Sequence, residues 1–90
     1  MVVEVIIMKQ EIKLEIKDNK GLHARKCLAL CQAAQSFKSD LMLIHNNTKI
    51  DIKSILGLLS LACSQGEIVT LEASGDDADK AINYLANIVD

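Results

Sequence analysis

"KQEIKLEIKDNKGLHARKCLALC", residues 9–31, changes its periodicity in the middle, and that change decides the architecture. Residues 9–17 alternate: Ile12, Leu14 and Ile16 fall on one side, Lys13, Glu15 and Lys17 on the other. A period of two belongs to a half-buried strand. "DNKG", 18–21, reads as a loop. From Ala24 the period lengthens, and Ala24, Cys27, Leu28, Cys31, Ala34 and Phe37 follow the i, i+3, i+4, i+7 spacing of an amphipathic helix, closed by "SFKSD" at 36–40. A strand therefore runs through a glycine-containing loop into a helix, and His23 stands at the junction.

Working outward, "LMLIH" (41–45) and "KIDIK" (49–53) read as two strands. Asn46 and Asn47 between them tolerate the positive φ of a tight hairpin turn. Ser54 sits at the start of a helix over "ILGLLSLACS" (55–64), and Gly66 marks the exit into a fourth strand, "EIVTLEAS" (67–74), with Val69, Leu71 and Ala73 on one face. After Gly75, "DDAD" (76–79) supplies a cap and an acidic first turn for "KAINYLANIV" (80–89), whose apolar stripe is Ala78, Ala81, Ile82, Leu85 and Val89. The order is β-α-β-β-α-β-α. Four strands with one apolar face each and three amphipathic helices predict an α+β fold of two layers, a largely antiparallel sheet with the helices on one face.

No linker or repeat divides the 90 residues, so residues 1–90 are expected to form a single domain. "MVVEVII" at 1–7 is too short to span a bilayer and lacks the features of a secretory signal. We expect it to be a dispensable extension or a misassigned start, Met8 being the natural one.

Half the residues are hydrophobic, yet there is no Trp, one Tyr and one Phe, so the core is aliphatic. Ten basic and twelve acidic residues are interspersed and give a net charge of −2, which argues against a nucleic-acid partner. Cys27, Cys31 and Cys63 read as small apolar residues of a protein kept reduced, not as a disulfide framework. Only His23 and His45 could join them at a metal, at unsuitable spacings, so no metal is expected and His45 is read as structural. The "DDAD" acids lack the glycine and spacing of a calcium loop. A P-loop, a metal-binding carboxylate pair and a nucleophile–base–acid set are all missing, so the chain is not read as an autonomous enzyme and no cofactor is expected.

His23 carries the chemistry. A helix start presents unpaired N–H groups and partial positive charge, and so suits phosphate. Arg25 adds a permanent cation with donors matched to phosphate oxygens. Both influences disfavour imidazolium and leave a nucleophilic nitrogen. From spacing alone, an ordinary loop histidine beside a surface arginine fits as well.

A resemblance shifts that balance. "GLHAR" at 21–25 and "IKSILGLLSL" at 52–61 together resemble HPr, the histidine-containing phosphocarrier family of the bacterial phosphotransferase system. The family pattern is G-[IL]-H-A-R-P-A followed by K-S-[IL]-[ML]-G-[VLI]-[ML]-S-L. The 31 residues from His23 to Ser54 equal the family's separation, and the match runs without gaps from the first strand to "ASG" at 73–75. The resemblance implies an open-faced β-α-β-β-α-β-α sandwich in a cytoplasmic carrier. It implies that His23 accepts a phosphoryl group on Nδ1 from enzyme I, that Arg25 assists, and that an enzyme IIA domain receives the group for sugar uptake. A regulatory HPr-like protein, of a nitrogen-type branch or controlled through a serine, is the alternative.

In the family the residue matching Ser54 is also phosphorylated by HPr kinase/phosphorylase; on its own sequence Ser54 is a helix cap. "SILGLLSLAC" is apolar nearly all round, so some leucines must face solvent, where they mark an interaction site. The family's partner surface implies Leu56 and Leu59, with Leu28, Gln32 and Lys38 extending it. Gly57 is expected to permit a close approach or a short, irregular helix. One departure stands out: Lys26 and Cys27 replace the family's proline and alanine. Lysine there gives up a pre-set φ, places a cation at the positive end of the helix, and brings an ammonium able to modulate the phosphate.

Overall fold

In a computed structural model, which describes residues 9–89, the chain forms four strands and three helices in the predicted order. They are β1 (Lys9–Glu15), α1 (Ala24–Ala34), β2 (Asp40–His45), β3 (Thr48–Asp51), α2 (Ile55–Ser60), β4 (Ile68–Ser74) and α3 (Ala78–Val89). The expected extension at 1–7 lies outside the described residues. Among those residues no helix is long and apolar enough to cross a membrane.

The sheet runs β1-β4-β2-β3, and every neighbouring pair is antiparallel. Register puts like with like on the inner face: Leu43 of β2 faces Leu71 of β4 and Ile50 of β3, and Leu41 faces Ala73. Against this face pack Leu30 and Ala34 of α1, Leu58 of α2, and Ala81, Ile82, Leu85 and Val89 of α3, in one continuous aliphatic core. The other face of β4 carries Glu72, nearly buried between Lys9 of β1 (3.4 Å) and Lys49 of β3 (3.0 Å). Asn46 and Asn47 take φ of 48° and 66°, the paired left-handed residues of a two-residue hairpin.

Several details depart from the sequence reading. Ile12 does not share the burial of Ile16; it lies 36% exposed. The stripe of α1 is rotated: Leu30 is fully buried, Leu28 is half exposed, and Ala24 faces solvent. Asp77 also does more than start a helix. Its carboxylate accepts hydrogen bonds from the N–H groups of Lys38 (2.8 Å) and Ser39 (3.0 Å) and from the Ser39 hydroxyl, and so ties α3 to the entry of β2.

The largest difference is α2. The apolar run to residue 64 predicts more than two turns of helix, but α2 stops at Ser60 after six residues. Leu61 N–H closes the last turn on the Leu58 carbonyl, and the chain then turns extended. Segment 61–67 has other work to do. The Cys63 carbonyl accepts from Leu22 N–H (2.9 Å), Gly66 N–H donates to the Ile16 carbonyl (2.8 Å), and Glu67 C=O accepts from Ile16 N–H (2.9 Å). These bonds satisfy the backbone of both segments at once, which a continued helix could not do. Of the two expectations for Gly57, the short helix is what forms; no close approach is needed, since a Cβ there would meet the Ser54 side chain and Ile50 only at ordinary contact distance.

Candidate functional site

The loop between β1 and α1 is tied down at several points, and these ties set where the helix begins. Asp18 folds over itself: its side chain accepts from Lys20 N–H (2.9 Å) and its carbonyl from Gly21 N–H (2.9 Å). Gly21 has φ +68°, and any Cβ there would collide with the Cys63 carbonyl. Glycine is the residue both conditions allow. Leu22 then buries its side chain and bonds Cys63, so the chain enters α1 held from below.

His23 is the N-cap residue of α1, in extended geometry (φ −77°, ψ 170°), and its side chain caps nothing. The first helical bond runs from Cys27 N–H to the His23 carbonyl (3.0 Å). The amides of Ala24, Arg25 and Lys26 precede that bond and have no partner inside the helix. An open depression of about 700 Å³ lies over them, walled by Asp18, Asn19 and Lys20 on one side and by His23 and the first helical turn on the other. Arg25 is exposed and makes no ion pair among the described residues. His23, Arg25 and Lys26 all line this depression at the open start of α1.

Asp18 is the residue the sequence reading missed. Its Oδ2 stands 3.2 Å from His23 Nε2 and 3.6 Å from Lys26 Nζ. The Lys20 N–H, then the contacts to His23 and Lys26, hold the Asp18 carboxyl below its ordinary range despite partial desolvation. A carboxylate on Nε2 fixes the ring, since an Nε2–H pointing at Asp18 leaves the lone pair on Nδ1. The usable signal was an acidic residue five positions before the histidine, in a loop closed by glycine.

Lys26 is placed differently from the expectation drawn at the family's proline position. Its ammonium donates to the Val89 carbonyl (2.9 Å) in the last turn of α3. A cation that is unfavourable at the start of α1 therefore meets the negative end of another helix.

The second block behaves as two faces. Leu58 is fully buried and Leu61 nearly so, whereas Leu56 is 78% and Leu59 49% exposed. Leu28, 50% exposed, and Gln32, also exposed, lie one turn apart on α1, which packs against α2. Ser54 is the N-cap of α2, and its Oγ accepts from Gly57 N–H at 3.2 Å. It does not line the depression around His23.

Of the cysteines, Cys27 and Cys63 are buried and Cys31 half-buried, all with free thiols. Burial raises the Cys27 thiol; burial, helped by the Glu67 carboxylate and Cys27, pushes Cys63 up to about 11. Neither is a ready thiolate at neutral pH.

This geometry defines a class: a small α+β protein with a tethered imidazole at an open, anion-ready helix start. The profile of the family described as the PTS HPr component phosphorylation site matches residues 10–90. The chain is 43% identical over 77 residues to the HPr-like protein Crh of Bacillus subtilis, covering 86% of this chain and 91% of that one. It is 36% identical over 83 residues to the phosphocarrier protein HPr of Neisseria meningitidis, covering 92% and 91%. The crystal structure of HPr-C-His from Thermoanaerobacter tengcongensis superposes with a TM-score of 0.83 at 41% identity, covering 89% of this chain and 90% of that one. The chain belongs to the HPr family of phosphocarriers of the phosphotransferase system.

Proposed function

We propose that this chain carries a phosphoryl group on His23, accepting it from enzyme I and passing it to an enzyme IIA domain during sugar uptake in the cytoplasm. One observation carries the reading: His23 caps α1 without using its side chain, and its Nε2 is engaged by Asp18. The ring then offers Nδ1. In the transfer the Nδ1 lone pair attacks phosphorus, the bond from phosphorus to the donor's leaving atom breaks, and that atom keeps the electron pair. His23 retains its Nε2 proton, so the phosphorylated ring is cationic, and the Asp18 carboxylate offsets that charge. The phosphoryl oxygens take the open amides at the start of α1 and the Arg25 guanidinium. Lys26, bonded to Val89 and near Asp18, modulates the phosphate through Asp18 rather than by direct contact.

Leu56, Leu59, Leu28 and Gln32 form the docking surface for these partners, since large exposed apolar side chains on two packed helices suit a transient protein interface. The test is transfer of label from phosphoenolpyruvate through enzyme I. The label is expected to be acid-labile, to sit on Nδ1 by NMR, and to be missing from His23→Ala. A labelled His23→Ala variant overturns the assignment. Leu56→Glu with Leu59→Glu is expected to slow acceptance without unfolding the protein; an unchanged rate removes the docking role.

A regulatory reading has its own support in Ser54, exposed at the start of α2, and in the similarity to Crh. HPr kinase/phosphorylase would add about −1.5 to −2 charge there, next to the leucine surface. If the Ser54-phosphorylated chain takes label from enzyme I at the rate of the unmodified chain, this second role is lost.

A further inference from the structure

His45, Cys63 and Glu67 come from the end of β2, the extended segment after α2 and the residue before β4, yet their donor atoms lie within 4.8 Å of one another. His45 is 92% buried, being 8% exposed, and Cys63 is nearly as enclosed at 6%. The His45 Nε2 is buried without a hydrogen-bond partner. Glu67 Oε1 stands 3.3 Å from it, at ion-pair distance, while the other oxygen of that carboxylate accepts from Ser64 N–H. A buried imidazole nitrogen whose one near polar neighbour is an ion-pair contact is uncommon, and this ring offers a donor nitrogen within 4.8 Å of a thiol sulfur and a carboxylate oxygen.

We propose that His45, Cys63 and Glu67 bind a Zn²⁺ ion, with water in the fourth position. One nitrogen, one sulfur and one oxygen donor suit a borderline-soft ion without geometric demands of its own. Two light ligands bonded at about 2.0–2.1 Å in a tetrahedron sit roughly 3.3–3.4 Å apart, the spacing His45 and Glu67 already have. Binding replaces the Cys63 S–H bond by S–Zn and releases that proton to solvent. Thiol and imidazole spacing gives no sign of this site, because its third donor is the carboxylate of Glu67, and Cys27 and Cys31 take no part.

One backbone hydrogen bond connects the cluster to the loop of the proposed phosphoryl centre. The Cys63 carbonyl receives Leu22 N–H, and Leu22 directly precedes His23. An ion on Cys63 and Glu67 pins segment 63–67, and with it the loop that presents the imidazole.

The experiment titrates the reduced, metal-free full chain with Co²⁺. One equivalent is expected to give a sulfur-to-cobalt charge-transfer band and tetrahedral d–d absorption, both bleached by Zn²⁺. The Cys27→Ala/Cys31→Ala variant keeps the signal, Cys63→Ser loses the charge-transfer band, and Glu67→Gln weakens binding by at least roughly tenfold. Zn²⁺ also slows exchange of the Leu22 amide. Circular dichroism checks each fold; should Cys63→Ser fail to fold, Glu67→Gln and His45→Gln carry the comparison. A folded chain with no charge-transfer band at excess Co²⁺, or a band that survives Cys63→Ser, reduces the cluster to a His45–Glu67 ion pair and overturns the proposal.

Discussion

His23 and Ser54 occupy the same position in two helices: each is an N-cap in extended backbone geometry. They use it in opposite ways. Ser54 turns its hydroxyl oxygen onto Gly57 N–H and closes the start of α2. His23 leaves the first turn of α1 open and directs its ring to Asp18 in the preceding loop. The comparison teaches that a helix start becomes an anion site through what its cap residue does not do. The proposed site needs open amides, a free guanidinium and a ring held by an outside carboxylate together, and among the described residues they coincide at α1.

The largest expected effect sharpens that contrast. His23→Ala is expected to abolish acceptance of label from enzyme I, whereas Ser54→Ala should leave it nearly intact. Equal losses in the two variants would erase the distinction between the helix starts. Next in size is the contrast within α2. Leu58→Ala removes a side chain with no exposure and is expected to cost about 2–5 kcal/mol in denaturant unfolding. Leu56→Ala, two residues earlier, should stay within about 0.5 kcal/mol. Comparable losses would mean that α2 has no distinct outer face. Smaller again is the Ser54 cap itself: Ser54→Ala is expected to cost about 1 kcal/mol of stability, read from the shift in the urea midpoint at constant slope.

The acid limb of the stability curve tests the loop anchors. Asp77 is held below its ordinary 3.8, first by the Ser39 hydroxyl and then by the amides of Lys38 and Ser39. A carboxyl lowered by folding contributes stability that is complete above its unfolded value and is lost as pH falls through the lower folded one. Thermal melts should therefore drop steeply below about pH 4, and Asp77→Asn should flatten that drop while lowering stability at neutral pH. A parallel acid limb in Asp77→Asn would show that this anchor carries none of it.

Periodicity made the seven elements legible, because a change from alternation to helical spacing is a local property of the chain. The same locality explains the misses. Leu28 and Leu30 both fit an apolar helical stripe, and which is buried depends on where α3 and the sheet lie. The end of α2 is set by Leu22 N–H, 41 positions before Cys63, and no feature of "SLACS" announces it. His23 and Arg25 were visible as a motif at a helix start. Asp18 was not, because the turn that brings it back depends on Gly21 meeting the Cys63 carbonyl.

Lys26 yields the smallest effect and the finest test of the comparison. At the first turn of α1 its charge opposes the helix dipole, and on that ground alone removing it should stabilise the protein. Its ammonium, however, meets the last turn of α3 through the Val89 carbonyl, 63 residues away, and Asp18 at 3.6 Å. Both contacts favour a cation, so Lys26→Ala is expected to destabilise by about 0.3–1 kcal/mol, and by less in an Asp18→Asn background. High salt should shrink the difference. A stabilised Lys26→Ala would mean that the dipole of its own helix dominates and that the α3 contact contributes little. Unchanged stability with altered phosphohistidine lifetime would move the ammonium's role from the fold to the phosphate.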